Sequence, residues 1–241
     1  GQLVGVAGAS ATNAAVVTNG NTLMRLYKST NNTTGNFEFR YTLSDTNYST
    51  SRQQGYISFK IQQVLPNAAG NNYLAFRLGA NDSNVLSAAT TGFIDMRIYN
   101  NSTNNNVRIY SPGGNTNVSL STNTISSSNL VKMEIWYNNT TNSLSYKNPN
   151  GVASTLNANA FAVYADKNLI SAGAGGQIMT NQVISTTNPA TITSTNIGKF
   201  AFVIGSGNAT DFLIDDLYAA DSAPAGASIS SPLAASGMAG Y

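Results

Sequence analysis

Glu38 and Glu134 are the only glutamates in this 241-residue chain, and they sit far apart in sequence. Two carboxylates serve glycoside hydrolysis when they stand about 5–5.5 Å apart (retaining) or about 6.5–9.5 Å apart (inverting). The chain has neither His nor Cys. That excludes a Ser-His-Asp triad, imidazole metal ligands, thiolate nucleophiles, disulfides, iron–sulfur clusters and Cys-based zinc sites. A metal would have to be held by oxygen, which points to calcium. Asn81-Asp82-Ser83-Asn84 and Asn208-Ala209-Thr210-Asp211 offer clustered oxygens. Turn chemistry alone also accounts for such clusters, and no loop has EF-hand spacing.

The other groups able to do chemistry are Arg, Lys and Tyr, with a single Trp. Tyr acts as a general base only where cationic neighbours depress its pKa. Arg binds carboxylate or sulfate through paired N–H bonds, and an indole stacks on the apolar face of a sugar ring. These residues fall on segments of strict period-2 alternation, the pattern of half-buried strands. Phe37, Phe39, Tyr41 and Leu43 alternate with Glu38, Arg40 and Thr42. Ile57, Phe59 and Ile61 alternate with Tyr56, Ser58, Lys60 and Gln62. Leu74, Phe76 and Leu78 alternate with Tyr73, Ala75 and Arg77, and Ile94, Met96 and Ile98 with Asp95, Arg97 and Tyr99. Val131, Met133, Ile135 and Tyr137 alternate with Lys132, Glu134 and Trp136. Residues 200–204 and 212–218 make two closing strands.

Asn/Ser/Thr/Gly clusters separate these segments, and their spacing is that of a sandwich or barrel. Residues 130–137, a turn over 138–142 and 143–147 read as a hairpin, and Asn148-Pro149-Asn150-Gly151 as a further turn. Residues 160–169 read as one short turn of helix. The expected organisation is a small-residue strand or arm over 1–21, a sandwich domain over 22–222, and a low-complexity tail over 223–241.

Only 9% of positions are charged, and 33 are Asn. Short polar side chains solvate the surface in place of Lys and Glu, which points to an extracellular or cell-surface protein. A net charge of +2 is too small and scattered for a nucleic-acid partner. No apolar run approaches the ~20 residues of a transmembrane segment. The sequence starts at Gly1 with no Met and no signal peptide, as expected of a processed mature form. Asn-x-Ser/Thr sequons are many, including those at Asn32, Asn101 and Asn139, at a frequency that chance produces in such a composition.

The stretch NLVKMEIWYNNTTNSLSYKNPNG (129–151) resembles a recurrent hairpin of concanavalin A-like lectin/glucanase sandwiches. The ending GKFAFVIGSGNATDFLIDDLYAAD (198–221) is similar to their closing pair of strands, with Ile214-Asp215-Asp216 where such proteins often have Ile-Asp-Asn or Ile-Asp-Asp. The resemblance implies an all-β, antiparallel two-sheet jelly-roll sandwich. It also implies a structural calcium near Asp215 or Asp216. It further implies a concave outer sheet face, which the polar alternates would line: Arg40, Tyr56, Lys60, Gln62, Tyr73, Arg77, Arg97, Tyr99, Glu134 and Trp136, with Glu38, Asp95 and Lys132. A plain solvated face carrying cross-strand ion pairs accounts for the same pattern.

Family glucanases carry Glu-x-Asp-x-x-Glu on one strand, and this chain has no such run, so no catalytic residues are assigned. Family lyases need a base, a Tyr and groups that neutralise a uronate; their usual His is missing here. The expectation is therefore a non-catalytic structural or adhesive protein assembling with identical subunits through its sandwich and extended ends. Low charge lets copies approach, and an extended end adds a strand to a neighbouring sheet. Carbohydrate binding on the concave face, with a polysaccharide partner, is the alternative, and a polysaccharide lyase the third.

Overall fold

An alternating segment hides its apolar side chains only by laying that face on another sheet. The computed structural model describes residues 3–6, 13–17, 24–28, 37–42, 53–64, 73–80, 94–100, 105–110, 118–120, 130–158, 160–169, 171–172, 177–178, 197–204 and 210–220. The strands are β1 (Leu3–Val6), β2 (Asn13–Val17), β3 (Met24–Lys28), β4 (Phe37–Thr42), β5 (Gln54–Gln63), β6 (Tyr73–Ala80), β7 (Ile94–Asn100), β8 (Asn105–Tyr110) and β9 (Val118–Leu120). They continue as β10 (Val131–Asn138), β11 (Leu144–Lys147), β12 (Ala153–Leu156), β13 (Ala160–Ala165), β14 (Asn168–Leu169), β15 (Ser171–Ala172), β16 (Gln177–Ile178), β17 (Ile197–Ile204) and β18 (Thr210–Ala220).

Sheet I has the order β1-β4-β17-β6-β7-β8-β9, and sheet II the order β14-β13-β10-β5-β18-β3-β2. All neighbours within each sheet run antiparallel. The expected all-β two-sheet sandwich is the architecture found. Leu74, Phe76, Leu78, Met96, Phe200 and Phe202 of sheet I belong to one buried cluster with Ile57, Phe59, Ile61, Met133, Ile135 and Phe212 of sheet II. Phe59 packs its ring edge against Phe202 at 5.0 Å and lies 5.3 Å from Phe76.

Two local expectations are corrected. Strand β11 pairs with β12, not with β10, whose neighbours are β5 and β13. The turn at Asn148–Gly151 therefore closes β11–β12, which belongs to neither large sheet. Residues 160–169 form β13 and β14, not a helical turn. Asp166 and Lys167 join them with positive φ of 44° and 68°, as a two-residue hairpin turn requires. Asp166 Oδ1 accepts from Lys132 N at 2.9 Å, and Asp166 N donates to Lys132 O at 2.9 Å, which holds this turn on β10.

Gly55 lets Tyr137 cross β5. A Cβ there would lie 2.6 Å from the Tyr137 hydroxyl and 2.6 Å from the Ala220 carbonyl. Neither backbone nor a buried tyrosine yields cheaply, so Gly55→Ala is expected to destabilise the domain by about 1–3 kcal/mol, read from the midpoint of a urea transition.

Candidate functional site

The polar alternates do not share one face. Core residues of each sheet point inward, so the alternates occupy two outer faces on opposite sides of the sandwich. Tyr56, Lys60, Gln62, Glu134 and Trp136 lie on sheet II. Arg40, Tyr73, Arg77, Arg97 and Tyr99 lie on sheet I strands. The single concave face expected to hold all of them is thus corrected, because period-2 alternation marks an outward position without saying outward from which sheet. Glu38 on β4 and Glu134 on β10 also belong to different sheets, so they do not form a glycosidase pair.

On sheet II the hairpin β11–β12 covers the outer face and makes a second, smaller core. Tyr56, Trp136, Tyr146, Leu156, Ala160, Ala162 and Tyr164 are its buried members. Trp136 is 2% exposed, packed 4.7 Å from Tyr56, 5.1 Å from Tyr146 and 5.3 Å from Tyr164 between ring centroids. It is therefore no open platform for a sugar ring, and that expectation is corrected. The cover is pinned at its root by buried Asn138, whose Nδ2 donates to Asn142 O at 2.7 Å and Asn157 O at 2.9 Å. At its tip Asn150 Nδ2 donates to Lys167 O at 3.0 Å. The Tyr146 and Tyr164 hydroxyls share a hydrogen bond of 2.9 Å.

Beside this cover sits a charged cluster. The Tyr56 hydroxyl donates to Glu134 Oε1 at 2.7 Å, and Lys132 Nζ donates to the same oxygen at 3.0 Å. Glu134 is buried, while Lys132 is half exposed. Burial first, then the carboxylate beside it, pushes the Tyr56 phenol well above its ordinary value. That is opposite to the depression a tyrosine base needs. Lys60 pairs with Asp216 at 2.5 Å, and this bond holds its ammonium above the usual lysine range against a smaller effect of burial. Asp216 has φ of 49° at a bulge where β18 loses register with β5.

Sheet I carries a different chemistry, legible in its register. Arg40 stands opposite Ala201, Ala201 opposite Arg77, and Arg77 opposite Asp95. In the adjoining row Ala75 stands opposite Arg97, and Arg97 opposite Arg108. Tyr73 stands opposite Tyr99 beyond them. Four of the six arginines in the chain thus share one face. The centre of this face is shut off from solvent, with Ala75, Ala201, Val203 and Arg77 all buried, while Arg97 is half-buried. Arg108 is not among the residues singled out from sequence, although Val107 and Ile109 alternate with Arg108 and Tyr110. The Asn-rich run before it disguises the strand as loop.

Three of the four proposed calcium ligands, Asp211, Asp215 and Asp216, lie among the described residues. Asp211 is buried and binds Arg25 through two bonds of 2.8 and 2.5 Å. Asp216 is paired with Lys60, Asp215 stands opposite Lys60 in register, and Asp82 lies outside the described residues. Among the described residues no group of three or more acidic side chains forms a metal site. The Asn139 sequon is closed to glycosylation in the folded chain, because Asn139 is fully buried. Among the described residues no helix is long and apolar enough to cross a membrane.

No protein-family model matches the chain, and no curated protein matches its sequence. Solved structures do match its shape. The metal-free carbohydrate recognition domain of Emp46p superposes with a TM-score of 0.50 at 12% identity, covering 92% of this chain and 89% of that one. The chain has the concanavalin A-like jelly-roll fold. A carbohydrate esterase of the Shiga toxin-encoding bacteriophage phi24B matches at TM-score 0.49 and 13% identity, over 90% of this chain and 88% of that one. The alginate lyase vAL-1 of Chlorella virus matches at 0.45 and 12%, over 86% and 88%. At such identities the likeness concerns the jelly roll itself, and the two outer faces must be argued from this chain's own residues.

Burial is the main cause that raises both the Tyr56 and the Tyr146 phenols. The folded state then holds these protons more tightly than the unfolded chain. The associated stability is complete below the ordinary tyrosine value of about 10 and is lost as pH climbs above it. Urea transitions taken below and above about pH 10 should show the fall. Tyr146→Phe should blunt it, at a cost near ~1 kcal/mol for the lost hydroxyl pair.

Proposed function

We propose that this is a non-catalytic, extracellular carbohydrate-binding domain whose sheet I face takes an acidic polysaccharide. The observation that carries this reading is the register of Arg97 directly opposite Arg108, with Arg77 and Arg40 in the next row. Like charges directly opposed across a sheet repel, and an anion laid across them lowers that repulsion. Guanidinium groups bind carboxylate or sulfate bidentately, so a chain of uronate or sulfated sugars supplies an anion at each residue. Half-buried Arg97 is the part of this row that reaches solvent, and the Tyr73–Tyr99 register pair lies at one end of the face. Absence of chemistry is supported by the separation of the two glutamates and by a Tyr56 phenol pushed away from the range of a base. Location outside the cell is supported by the sparse charge and abundant Asn.

Affinity electrophoresis in gels containing alginate, polygalacturonate or a neutral glucan tests this reading. The acidic polymers should retard the protein and the glucan should not. Arg97→Ala should weaken retardation by the equivalent of about 1.5–3 kcal/mol, and added salt should weaken it further. Equal retardation by the neutral glucan would reject the charge-based reading. Incubation with the acidic polymers should produce no absorbance from unsaturated sugar products.

A second reading, assembly of identical subunits, is favoured by the outermost strands. Sequences LVGV of β1 and NAAVV of β2 hold one margin of each sheet among the described residues, and neither contains a charge. Charged side chains are a usual device against edge-to-edge pairing. Native mass measurement should then give oligomers, and Val16→Lys should shift them to monomer. A monomer at all concentrations would dismiss this reading and leave carbohydrate binding standing.

A further inference from the structure

The tip of the covering hairpin carries Asn150 followed by Gly151, one of two Asn-Gly pairs in the chain; the other, Asn19-Gly20, lies outside the described residues. Asn150 and Gly151 are both exposed, and the next residue, Val152, is 58% exposed. Gly151 has φ of 78°, and a Cβ built there would meet nothing within 4 Å, so nothing crowds its amide. Two bonds hold the pair in place. Asn150 Nδ2 donates to Lys167 O at 3.0 Å, and Gly151 N donates to Asn148 O at 2.8 Å. The first ties the hairpin tip to the Asp166–Lys167 turn between β13 and β14. Because the hairpin pairs with neither large sheet, its tip opens without breaking their ladders.

We propose that Asn150-Gly151 is a self-modification site, at which the latch of the cover converts from amide to carboxylate and frees the hairpin tip, while Asn138 keeps the root. An asparagine followed by glycine carries its own nucleophile, the next backbone nitrogen, with no side chain in the way. When the two bonds open, Gly151 N gives its proton to hydroxide and attacks Asn150 Cγ. The Cγ–N bond forms, the Cγ–Nδ2 bond breaks, and the side-chain nitrogen leaves as ammonia, taking a proton from water. Water then opens the resulting succinimide at either carbonyl, to give aspartate or isoaspartate. Water is the only co-reactant consumed, and nothing is oxidised or reduced. The product has an acceptor-only carboxylate where Asn150 had its donor, facing the Lys167 carbonyl beside Asp166. A bond that joined the tip to the turn becomes a repulsion. The isoaspartate form also lengthens the backbone inside a turn that Asn148 Oδ1 closes by accepting from Asn150 N and Val152 N, each at 3.0 Å.

Peptide mapping by mass spectrometry tests the conversion, on the full chain aged in mildly alkaline buffer either folded or unfolded in urea. The folded chain should convert at Asn150 about ten- to hundredfold more slowly than the unfolded chain, since two hydrogen bonds must open first. An Asn150 still wholly intact in the folded chain after about a hundred half-lives of the unfolded one overturns the proposal. Hydrogen exchange tests the latch. Amides of the β11–β12 ladder should exchange about two- to tenfold faster in Asn150→Asp, or in aged protein, than in fresh parent, the loss of one bond. Those of β5 should not change. Asn150→Ala lacks the donor and cannot convert, so its hairpin should exchange fast from the start and gain nothing further on ageing. Exchange in Asn150→Asp equal to that of the parent overturns the latch. The arginine face lies on the opposite side of the sandwich, so neither failure bears on it.

Discussion

Phe59 is where the two sheets of this sandwich meet. Its ring stands on central strand β5 of sheet II and contacts Phe76 and Phe202 from adjacent strands of sheet I. Phe200 extends the same cluster, 5.7 Å from Phe76 and 6.3 Å from Phe202. A jelly roll assembles its sheets from strands distant in sequence, so local turns do not fix which strands face each other. Aromatic side chains large enough to interlock across the roughly 10 Å between sheets do. Once this contact sets the facing strands, each alternating segment has a determined inner side, and every polar residue beside it is assigned to one outer face or the other.

The two outer faces then diverge. Sheet I sets short residues between its arginines, and Ala75, Ala201 and Arg77 are all buried there. Sheet II places Tyr56, Glu134, Trp136 and Tyr164 on neighbouring strands, too much aromatic surface to leave in water. The hairpin β11–β12 covers it, adding Tyr146 and Leu156 to form a small core. This cover explains the burial of β13 on both sides, since its six residues are all buried. It also explains why a charged residue, Glu134, survives beneath it: a phenol and an ammonium bond its carboxylate, and its partner Lys132 remains at the solvent edge. Removing one such partner from a buried charge is more damaging than the pair is stabilising.

The sequence is most legible where one side of a strand meets the core and the other meets solvent. Ile57, Phe59 and Ile61 are in the core and Lys60 is half exposed, as alternation requires. It is least legible where that contrast vanishes. The stretch AFAVYA of β13 carries no polar alternate, so nothing in its pattern separates a strand from a helical turn. Its Asp166–Lys167 turn also lacks the glycine that announces a tight hairpin. The turn at Asn148–Gly151 is visible, yet turn chemistry states where a chain reverses and not which strands then pair. Alternation puts Trp136 on the correct side of β10 but leaves it looking open, because a covering hairpin leaves no mark on the strand it covers.

The same limit governs the candidate sites. Arg97 and Lys60 look equivalent as outward positions, and only the strand orders separate them onto opposite faces. That separation changes the chemistry, since a mixed face of Arg, Lys, Glu and Trp becomes a cationic face on one sheet and a carboxylate–aromatic cluster on the other. Neither needs imidazole or thiol, the two groups this chain lacks. Sugars are recognised through hydroxyls, apolar ring faces and occasional anions, for which Arg, Glu, Tyr and Trp suffice. A chain poor in charge therefore places much of its charge on these strands, where register sets one charge against another. Across sheet I the register sets Arg97 against Arg108, and across sheet II Lys132 and Glu134 balance one another.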